Sequence, residues 1–298
     1  MRKPTITVIG SINVDLVTVT NRLPKQGETI KGETFETKSG GKGANQAVAA
    51  ARLGANVQMI GCVGDDKNGA DMLETLEKEN ISTKMIRKVP HTNTGVANIL
   101  LSNQDNRIIY VPGANNEVSP EYVKQFKNEI LASDLVLIQF EIPQETVLYC
   151  LDFCAENNVP IIVNPAPANT IPEEYWNKAT YITPNEGEAA HLFNLEYMSD
   201  DLNDKLIITK GEHGVSYRVN NERLLIPANT VTPVDTTGAG DTFNGALCTA
   251  LSEQKTMEQA IVFANAASAL SIQKFGAQSG MPTREEVETF LAEINNVG

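Results

Sequence analysis

The sequence is poor in basic residues relative to acidic ones. Of its 298 residues, 24 are Lys or Arg and 37 are Asp or Glu, which gives a net charge of −13 at pH 7. This balance argues against a surface for nucleic acid or for an anionic membrane, because both need basic patches. An anionic ligand is not excluded, since a local group of backbone N–H groups can hold a phosphate within an acidic protein.

Cysteines and histidines are also few. The four cysteines, Cys62, Cys150, Cys154 and Cys248, include no C-x-x-C pair, and we expect them to be reduced and packed in the interior. The three histidines lack the spacing of metal ligands, so we expect no zinc site. No apolar run approaches the ~18 residues of a membrane span, and MRKPTITVIG is typical of a first strand rather than a signal peptide. We therefore expect a cytoplasmic protein without a membrane partner.

Short β-branched runs alternate with helical segments along most of the chain. Such unalternating runs are typical of buried parallel strands: Ile6–Ile9, Met59–Val63, Leu135–Phe140, Ile161–Asn164, Tyr181–Thr183 and Leu206–Thr209. The predicted helices are Ala44–Leu53, Gly69–Glu79, Pro120–Leu131, Gln144–Asn157, Glu186–Phe193, Asp241–Leu251, Met257–Lys274 and a last one opened by a capping box at Thr283–Glu286. The pattern predicts an α/β fold, a doubly wound and mostly parallel sheet flanked by helices.

Two segments alternate polar and apolar residues instead. Residues 12–38, including a predicted strand over Glu28–Phe35, and residues 93–111, around a turn at 103–106, have the pattern of half-buried strands. We expect them to form a small separate sheet, either a lid or a dimer surface. A hairpin of Gly214–Val219 with Arg223–Ile226 is expected to extend the edge of the main sheet. Residues 1–298 would then form a single α/β domain.

The stretch Val234–Phe243 is the most informative part of the chain. Its Gly238-Ala239-Gly240 turn opens an apolar helix, where exposed N–H groups and the helix dipole favour an anion. Asp241 follows directly, so a carboxylate would face that anion. A phosphate cradle beside a fixed base is what phosphoryl transfer to an alcohol requires.

A second glycine-rich helix start lies at Ser39–Asn45. Its three glycines in four positions allow close backbone approach to a ligand, and Lys42 and Asn45 add donors on nearly the same side. A P-loop is excluded, because Gly43 follows the lysine where Ser or Thr is needed. A tight turn that only begins a helix is the alternative interpretation.

Polar residues also follow the first strand. Asn13 and Asp15 alternate with apolar neighbours, so both point to one face at the carboxyl end of a strand, where open parallel sheets bind ligands. An amide beside a carboxylate is a good hydroxyl binder. The alternative is a pair of polar strand residues that face solvent.

Further polar residues follow later strands. Glu141 ends one strand, and Asn185 and Glu188 form an N-x-x-E pair at a helix start that suits a water-rich Mg²⁺ site, although Glu188 alone could be an ordinary first-turn acid. The glycines of Thr209–Gly214 could let a nucleotide lie on the backbone. The Gly-Ala-Gly turn does not continue as a dinucleotide fingerprint, because residue 243 is Phe, which disfavours an NAD enzyme.

These motifs, in this order, resemble those of the ribokinase (phosphofructokinase-B) family of sugar kinases. The matching blocks are G-S-x-N-x-D at Gly10–Asp15, G-G-K-G-A-N at Gly40–Asn45, N-x-x-E at Asn185–Glu188 and D-T-T-G-A-G-D at Asp235–Asp241, and they span essentially the whole chain. The last block is specific to the family, and the first two are more similar to ribose kinases than to fructokinases or nucleoside kinases. The resemblance implies transfer of the γ-phosphate of ATP to the 5-hydroxyl of D-ribose. It also implies a homodimer through a small β-sheet lid.

The resemblance implies residue roles as well. Asp241 matches the catalytic base, and the amides of Gly238, Ala239 and Gly240 match the anion hole. Sugar-contacting positions, besides Asp241, are Asn13, Asp15, Gly41, Lys42, Asn45 and Glu141. Nucleotide positions are Asn185, Thr209, Gly211, Gly214, Gly240 and Asn265, and Asn185 and Glu188 influence Mg²⁺ largely through water.

An activating K⁺ is implied beside the anion hole. Its ligands, mainly backbone carbonyls, match Asp235 and Thr237 in one loop and Ser271, Lys274, Gly276 and Gly280 in a second. The chain departs from the family at Gly280, where Ser is common.

Two alternatives stay open. One is a kinase of the same family for 2-deoxyribose, a ketose or another sugar, or a nucleoside; Asp15 and Asn45 favour a small polyhydroxylated sugar. The other is an inactive sugar-binding regulator, which usually loses the base or the glycine turn, both of which this chain retains.

Overall fold

The computed structural model describes residues 2–102 and 105–297. The strands are β1 (Thr5–Ile9), β2 (Asn13–Val19), β3 (Thr34–Gly40), β4 (Asn56–Gly64), β5 (Ser82–Val89), β6 (Gly95–Ser102), β7 (Asp105–Val111), β8 (Leu135–Gln139), β9 (Ile161–Asn164), β10 (Tyr181–Ile182), β11 (Ile208–Thr209), β12 (Val215–Val219) and β13 (Glu222–Ile226). The α-helices are α1 (Lys42–Arg52), α2 (Lys67–Lys78), α3 (Pro120–Val123), α4 (Lys127–Leu131), α5 (Gln144–Glu156), α6 (Glu173–Trp176), α7 (Glu186–Leu192), α8 (Asp200–Asn203), α9 (Ala239–Ser252), α10 (Met257–Ser271), α11 (Ala277–Gly280) and α12 (Arg284–Val297). Within these residues no helix has both the length and the apolar character needed to cross a membrane.

Six parallel strands form the main sheet, in the order β10-β9-β8-β1-β4-β5. A hydrophobic core lies on each face of the sheet, and successive residues of one strand point into opposite cores. Val8 and Ile9 of β1 are an example. One core is covered mainly by α1, α9 and α10, and the other by α3 and α5. The predicted doubly wound α/β fold is confirmed. The strand order reverses beside β1, and such a reversal opens a ligand crevice at the carboxyl ends of the strands.

The predicted hairpin is present at the edge of this sheet. Strands β11, β12 and β13 form an antiparallel sheet, and isolated parallel bridges join Leu206 to Ile182 and Thr209 to Asn185. Asn220 and Asn221, at the tip, have φ values of 51° and 67°. Positive φ at both central residues is the requirement of the type I′ turn that suits a two-residue hairpin.

A separate four-stranded sheet, β3-β2-β6-β7, is formed from the two alternating segments; we call it the small sheet. Strand β2 is antiparallel to β3 and parallel to β6, and β6 is antiparallel to β7. Two residues of the predicted turn, Asn103 and Gln104, lie outside the described residues. Because β3 leads directly into α1, and Asn13 of β2 pairs with Gly40 of β3, the small sheet begins next to the crevice.

The prediction of a strand over Glu28–Phe35 is wrong for its first six residues, since β3 begins at Thr34. The carboxylate of Glu28 accepts hydrogen bonds from Arg22 (2.7 Å) and from the backbone N–H of Lys25 (2.9 Å). A side chain that bonds to nearby backbone stabilises a local turn in competition with a strand.

The helix predicted over Pro120–Leu131 is divided. A 3₁₀ turn at Lys124–Phe126 separates α3 from α4, and Phe126 has φ −113° and ψ 25°, outside the helical region. Its ring packs edge-to-face on Tyr122 at 5.2 Å. The helix predicted to end at Lys274 ends at Ser271 instead, and the following residues form a loop of the site.

All four cysteines are buried and unpaired, as expected. Burial raises the pKa of Cys62 to about 11 and that of Cys154 to about 12. These thiols are therefore unreactive core groups.

Candidate active site

The base predicted from the sequence lies at the crevice. Asp241 is the third residue of α9, and its side chain is 7% exposed. Its Oδ2 accepts a hydrogen bond from Nδ2 of Asn45, and its Oδ1 accepts one from Nε2 of Gln46, both at 2.9 Å. The helix α1 thus holds the carboxylate with two amide donors, and each carboxylate oxygen keeps a lone pair for another donor.

Further buried amides continue this network. Nε2 of Gln46 also donates to Oδ1 of Asn164 (3.0 Å), and Oε1 of Gln46 accepts from Nε2 of Gln139 (2.7 Å). None of these three side chains is predicted as a site residue by the sequence motifs. The available signal was an amide inside an apolar run, in Leu135–Gln139 for example, because a buried polar side chain needs a partner.

The N-terminus of α9 presents free donors. Gly238 is the N-cap residue with φ 81°, and the N–H groups of Gly238, Gly240 and Asp241 donate to no atom of residues 2–102 and 105–297. Ala239 differs from the prediction, since its N–H donates to the carbonyl of Thr236 at 3.2 Å. Three N–H groups therefore remain free to bind an anion. The N–H of Asp241 is one of them, and the predicted N–H of Ala239 is not.

A cavity of about 220 Å³ adjoins these donors, lined by Lys42, Asn185, Glu188, Thr209, Gly240 and Asp241 among others. Burial lowers the pKa of Lys42, but the carboxylates of Asp241, Glu141, Glu188 and Asp15 outweigh it and raise that pKa. Lys42 is therefore a protonated cation close to the free N–H groups. Such a cavity suits phosphate groups.

Asn185 and Glu188 form a capping box at the start of α7. Oδ1 of Asn185 accepts from the N–H of Glu188, and Oε2 of Glu188 accepts from the N–H of Asn185, both at 2.8 Å. The interpretation of Glu188 as a first-turn helix acid is therefore correct, and its side chain also lines the cavity. Burial raises its pKa. These oxygen groups are compatible with a hydrated Mg²⁺.

The predicted nucleotide positions lie on the hairpin side of the cavity. Thr209 ends β11 and lines the cavity, and Gly211 lies in a 3₁₀ turn with open space above it. Gly214 precedes β12 and contacts Pro227, whose carbonyl accepts a 3.2 Å hydrogen bond from Nδ2 of Asn265. The structure thus brings Gly214 and Asn265 together although they are far apart in sequence.

A second carboxylate, that of Glu141, follows β8 by two residues. Oε2 of Glu141 accepts hydrogen bonds from Oγ of Ser11 (2.5 Å), from the N–H of Lys42 (3.1 Å) and from Nδ2 of Asn13 (3.3 Å). Asn13 is 2% exposed, which rules out a solvent-facing role for it. Gly41, with φ 89°, allows the start of α1 to approach Asn13 closely, because a Cβ there would lie 2.7 Å from the backbone nitrogen of Asn13.

Asp15 lies two residues farther along β2, opposite Lys38 of β3. Burial, together with the negative charges of Glu141 and Asp241, raises the pKa of Asp15 to about 7, although Lys42 and Lys38 oppose the rise. The carboxylates of Asp15, Glu141 and Asp241 therefore lie near enough to repel one another, with Lys42 and Lys38 as the opposing charges. Such a cluster favours a ligand that donates hydroxyl groups.

Two loops meet next to the Gly238–Gly240 turn, one containing Asp235 and the other containing Gly276. Oδ1 of Asp235 accepts from the N–H of Thr237 (2.9 Å), and Oδ2 accepts from the N–H of Gly276 (2.8 Å). Burial opposes ionisation, but these hydrogen bonds outweigh it and hold the pKa of Asp235 below its usual value. An ionised Asp235 therefore joins the two segments predicted to bind K⁺.

The second loop is tightly packed. It runs from Ser271, the last residue of α10, past Lys274 and Gly276 to α11. Gly280 contacts the carbonyl oxygen of Ser271 so closely that a Cβ would overlap it. Within the described part of the chain no three His, Cys, Asp or Glu side chains form a metal cluster.

A larger cavity, of about 550 Å³, separates the small sheet from these loops. Its lining includes Asp15, Val17, Lys38 and Ile99 on the small sheet and Asp235 and Phe275 on the loops. Nζ of Lys38 lies 3.5 Å from the ring centroid of Phe275. The crevice therefore has one side built by the small sheet and the other by α9 and its loops.

Comparison with known proteins decides the family. The sequence model of the pfkB family of carbohydrate kinases matches residues 3–284. The chain belongs to this family.

Individual members of the pfkB family are similar over nearly the full length. A ribokinase of Bacillus subtilis is 50% identical over 290 residues, which cover 96% of this chain and 99% of that protein. A deoxyribokinase of Salmonella typhimurium is 36% identical, with 96% and 98% covered. The solved structure of Arabidopsis thaliana ribokinase complexed with ribose and ATP is 31% identical, covers 98% of this chain and 99% of that chain, and has a TM-score of 0.88.

Proposed function

We propose that this pfkB-family kinase transfers the γ-phosphate of ATP to the 5-hydroxyl of D-ribose. The observation that carries the proposal is the position of the Asp241 carboxylate. It lies between free N–H groups that can hold phosphate and a cluster of amide and carboxylate groups that can hold hydroxyls. The 50% identity to a ribokinase supports ribose as the acceptor.

In this proposal Asp241 orients the hydroxyl and accepts its proton. A carboxylate is a far weaker base than an alkoxide, so the proton leaves the hydroxyl late, as the bond to phosphorus forms and the bond to the leaving oxygen of ADP breaks. Asn13, Asp15, Gly41, Lys42, Asn45 and Glu141 bind the sugar. Most of the acceleration comes from positioning and from charge neutralisation.

The N–H groups of Gly238, Gly240 and Asp241, with Lys42, hold the transferred phosphoryl group. Ala239 joins them only where its 3.2 Å bond to Thr236 gives way. The nucleotide lies along Asn185, Thr209, Gly211, Gly214, Gly240 and Asn265. A Mg²⁺ held through water by Asn185 and Glu188 would neutralise phosphate charge.

The residues of the two loops fit a monovalent cation. An ionised carboxylate, Asp235, joins the loops, and the remaining predicted ligands, Thr237, Ser271, Lys274, Gly276 and Gly280, would supply backbone carbonyls. Gly280 has no side chain to contribute, so only its backbone could take part. A bound K⁺ would stabilise the loop next to the anion turn.

We further propose one domain over residues 1–298 that carries the small sheet as a lid, and a homodimer formed through that sheet. Residues paired across a ladder share one face of a sheet. On that basis Phe35, Ile109 and Val111 share the face opposite to Asp15 and Val17, and they are 62%, 64% and 51% exposed. An apolar outer face of this kind is typical of an interface. Because the reaction consumes ATP, we place it in the cytoplasm.

A coupled assay for ADP tests the reaction, with D-ribose, 2-deoxyribose, fructose and a nucleoside as acceptors, with Mg²⁺, and with or without K⁺. We expect D-ribose to give the highest kcat/KM. A higher kcat/KM for 2-deoxyribose would assign the chain to the other activity found among its relatives, and no ADP release with any acceptor would indicate a sugar-binding regulator.

The role of Asp241 is tested by Asp241→Asn. We expect turnover to fall by about a thousandfold or more, while the ribose dissociation constant, measured by calorimetry, changes little. Asp71→Asn, at an exposed position on α2, is the matched control for loss of one charge. Near-normal turnover of Asp241→Asn would contradict the assignment.

A further inference from the structure

Asn45 has a second buried partner besides Asp241. Its Oδ1 accepts a 2.9 Å hydrogen bond from Nε2 of Gln278, which lies 233 positions later in the chain. Both side chains are buried, at 6% and 8% exposed. Gln278, Asn45 and Asp241 thus form a continuous series of two hydrogen bonds that ends on the carboxylate of the base.

The chemistry of these groups determines which way the Asn45 amide points. A carboxylate only accepts hydrogen bonds, so the amide must turn its NH₂ group to Asp241. Its carbonyl oxygen then faces away and needs a donor, and the NH₂ group of Gln278 supplies one. If the amide were reversed, Oδ1 would face the carboxylate and two NH₂ groups would meet.

Gln278 can act in this way because its backbone is held on both sides. Nη1 of Arg52, at the end of α1, donates to the carbonyls of Gln278 (2.6 Å) and Met281 (2.9 Å). Arg52 itself is paired with Glu79. On the other side, the N–H of Gly276 donates to Asp235. Helix α11, a single turn that contains Gln278, therefore presents this amide to Asn45 from a fixed position.

We propose that Gln278 is a positioning residue, which orients Asn45 and through it the carboxylate of Asp241. The proposal rests on the proposed function of Asp241. It makes the segment Gly276–Gly280, which contains α11, part of the catalytic machinery through the Gln278 side chain as well as through any backbone carbonyl that binds a cation.

Two substitutions separate this role from simple packing. In Gln278→Leu the donor is lost, and Asn45 is free to reverse. In Gln278→Glu, assayed above the pKa of the new carboxyl, a second carboxylate faces Asn45, so the carbonyl oxygen of that amide must point at one carboxylate or the other. We expect kcat to fall about tenfold for Gln278→Leu and about a hundredfold for Gln278→Glu, in line with the cost of an unpaired buried polar group.

The order of these effects is diagnostic. Glu resembles Gln in shape more closely than Leu does, so a packing role would make Gln278→Glu the milder change. Gln125→Leu and Gln125→Glu, at an exposed position remote from the crevice, are the matched controls, and we expect both to keep the parent rate. The thermal midpoint of each variant, measured in the same buffer, confirms that it is folded.

A double-variant cycle with Asn45→Ala tests whether Gln278 acts through Asn45. We expect Gln278→Leu to lower kcat/KM about tenfold in the parent but less than about twofold in the Asn45→Ala background, because residues that act as a unit are not additive. Equal losses in both backgrounds would overturn the proposal. Failure of the proposed function is a different result, in which the unsubstituted chain does not phosphorylate ribose.

Discussion

The side-chain amide of Asn115 donates a 2.7 Å hydrogen bond to Oδ1 of Asn13. Asn115 is 0% exposed, and its Oδ1 accepts from the N–H of Ile12 at 2.9 Å. These contacts turn the NH₂ group of Asn13 toward Glu141, by the same logic that orients Asn45. A residue absent from the sequence motifs therefore holds one of the proposed sugar ligands.

We predict that Asn115→Ala raises the KM for ribose about tenfold or more, because Asn13 loses its orientation and a buried N–H is left without a partner. The effect on kcat should be smaller, since Asn115 does not contact Asp241. Steady-state kinetics measure both values. Asn128→Ala, at an exposed position on α4, is the control, and a ribose KM within twofold of the parent for a folded Asn115→Ala protein would contradict the prediction.

The ribose affinity of the parent protein should depend on pH. The pKa of Asp15 is raised to about 7 by burial and by Glu141 and Asp241, with Lys42 and Lys38 opposing. Its carboxylate is the form that accepts two hydroxyl hydrogen bonds, so we expect the ribose dissociation constant to increase as pH falls from 8 to 6. Calorimetric titrations across this range test the expectation, and Asp15→Asn should bind ribose weakly with little dependence on pH.

The same group should affect stability. A carboxyl whose folded pKa exceeds its unfolded pKa binds more protons in the folded state between those two values, so its contribution to stability falls as pH rises from about 4 to about 7. Asp15→Asn removes this penalty. We expect the thermal midpoint of the variant, relative to that of the parent, to rise by roughly 2 °C or more between pH 5 and pH 8. A constant difference across that range would show that Asp15 keeps an ordinary pKa.

The contact of Gly280 with the carbonyl of Ser271 predicts an effect on K⁺ activation. In Gly280→Ala the added methyl group must displace that carbonyl, which is a proposed K⁺ ligand. We expect the K⁺ concentration for half-maximal activity to increase severalfold, with a smaller change in the rate without K⁺. Gly32→Ala is the control, because the nearest atom to a Cβ there is 3.4 Å away. Identical K⁺ titrations for both variants would remove Gly280 from the proposed site.

The outer face of the small sheet should control the oligomeric state. Phe35→Glu and Ile109→Glu each place a charge on that apolar face, and we expect either to convert a dimer into a monomer in sedimentation experiments. Leu225→Glu changes a similarly exposed residue, 56% exposed on β13, and should leave the dimer intact. If Leu225→Glu alone dissociated the protein, the interface would lie at the hairpin instead.

Features that depend on neighbouring residues could be predicted from the sequence. The helix start at Gly238, the hairpin at Asn220–Asn221 and the capping box at Thr283–Glu286 rest on backbone conformation and local hydrogen bonds, and all are present. The division of Pro120–Leu131 into two helices was missed, because no Gly or Pro inside the segment marks it.

The residues of the site likewise fall into those that local sequence predicts and those that it does not. The sequence by itself determined the chemical groups of the crevice, since Asp241, Asn13 and the glycine turns belong to contiguous motifs with a chemical reason for each residue. Only the tertiary structure decided which groups hold them. Gln46, Asn115, Gln139 and Gln278 lie far apart along the chain, and each bonds to a residue too distant in sequence for a local motif to predict the pair. They line one crevice because the fold brings α1, the 3₁₀ turn at Gly113–Glu117, β8 and α11 together there, and each buried amide must find a partner.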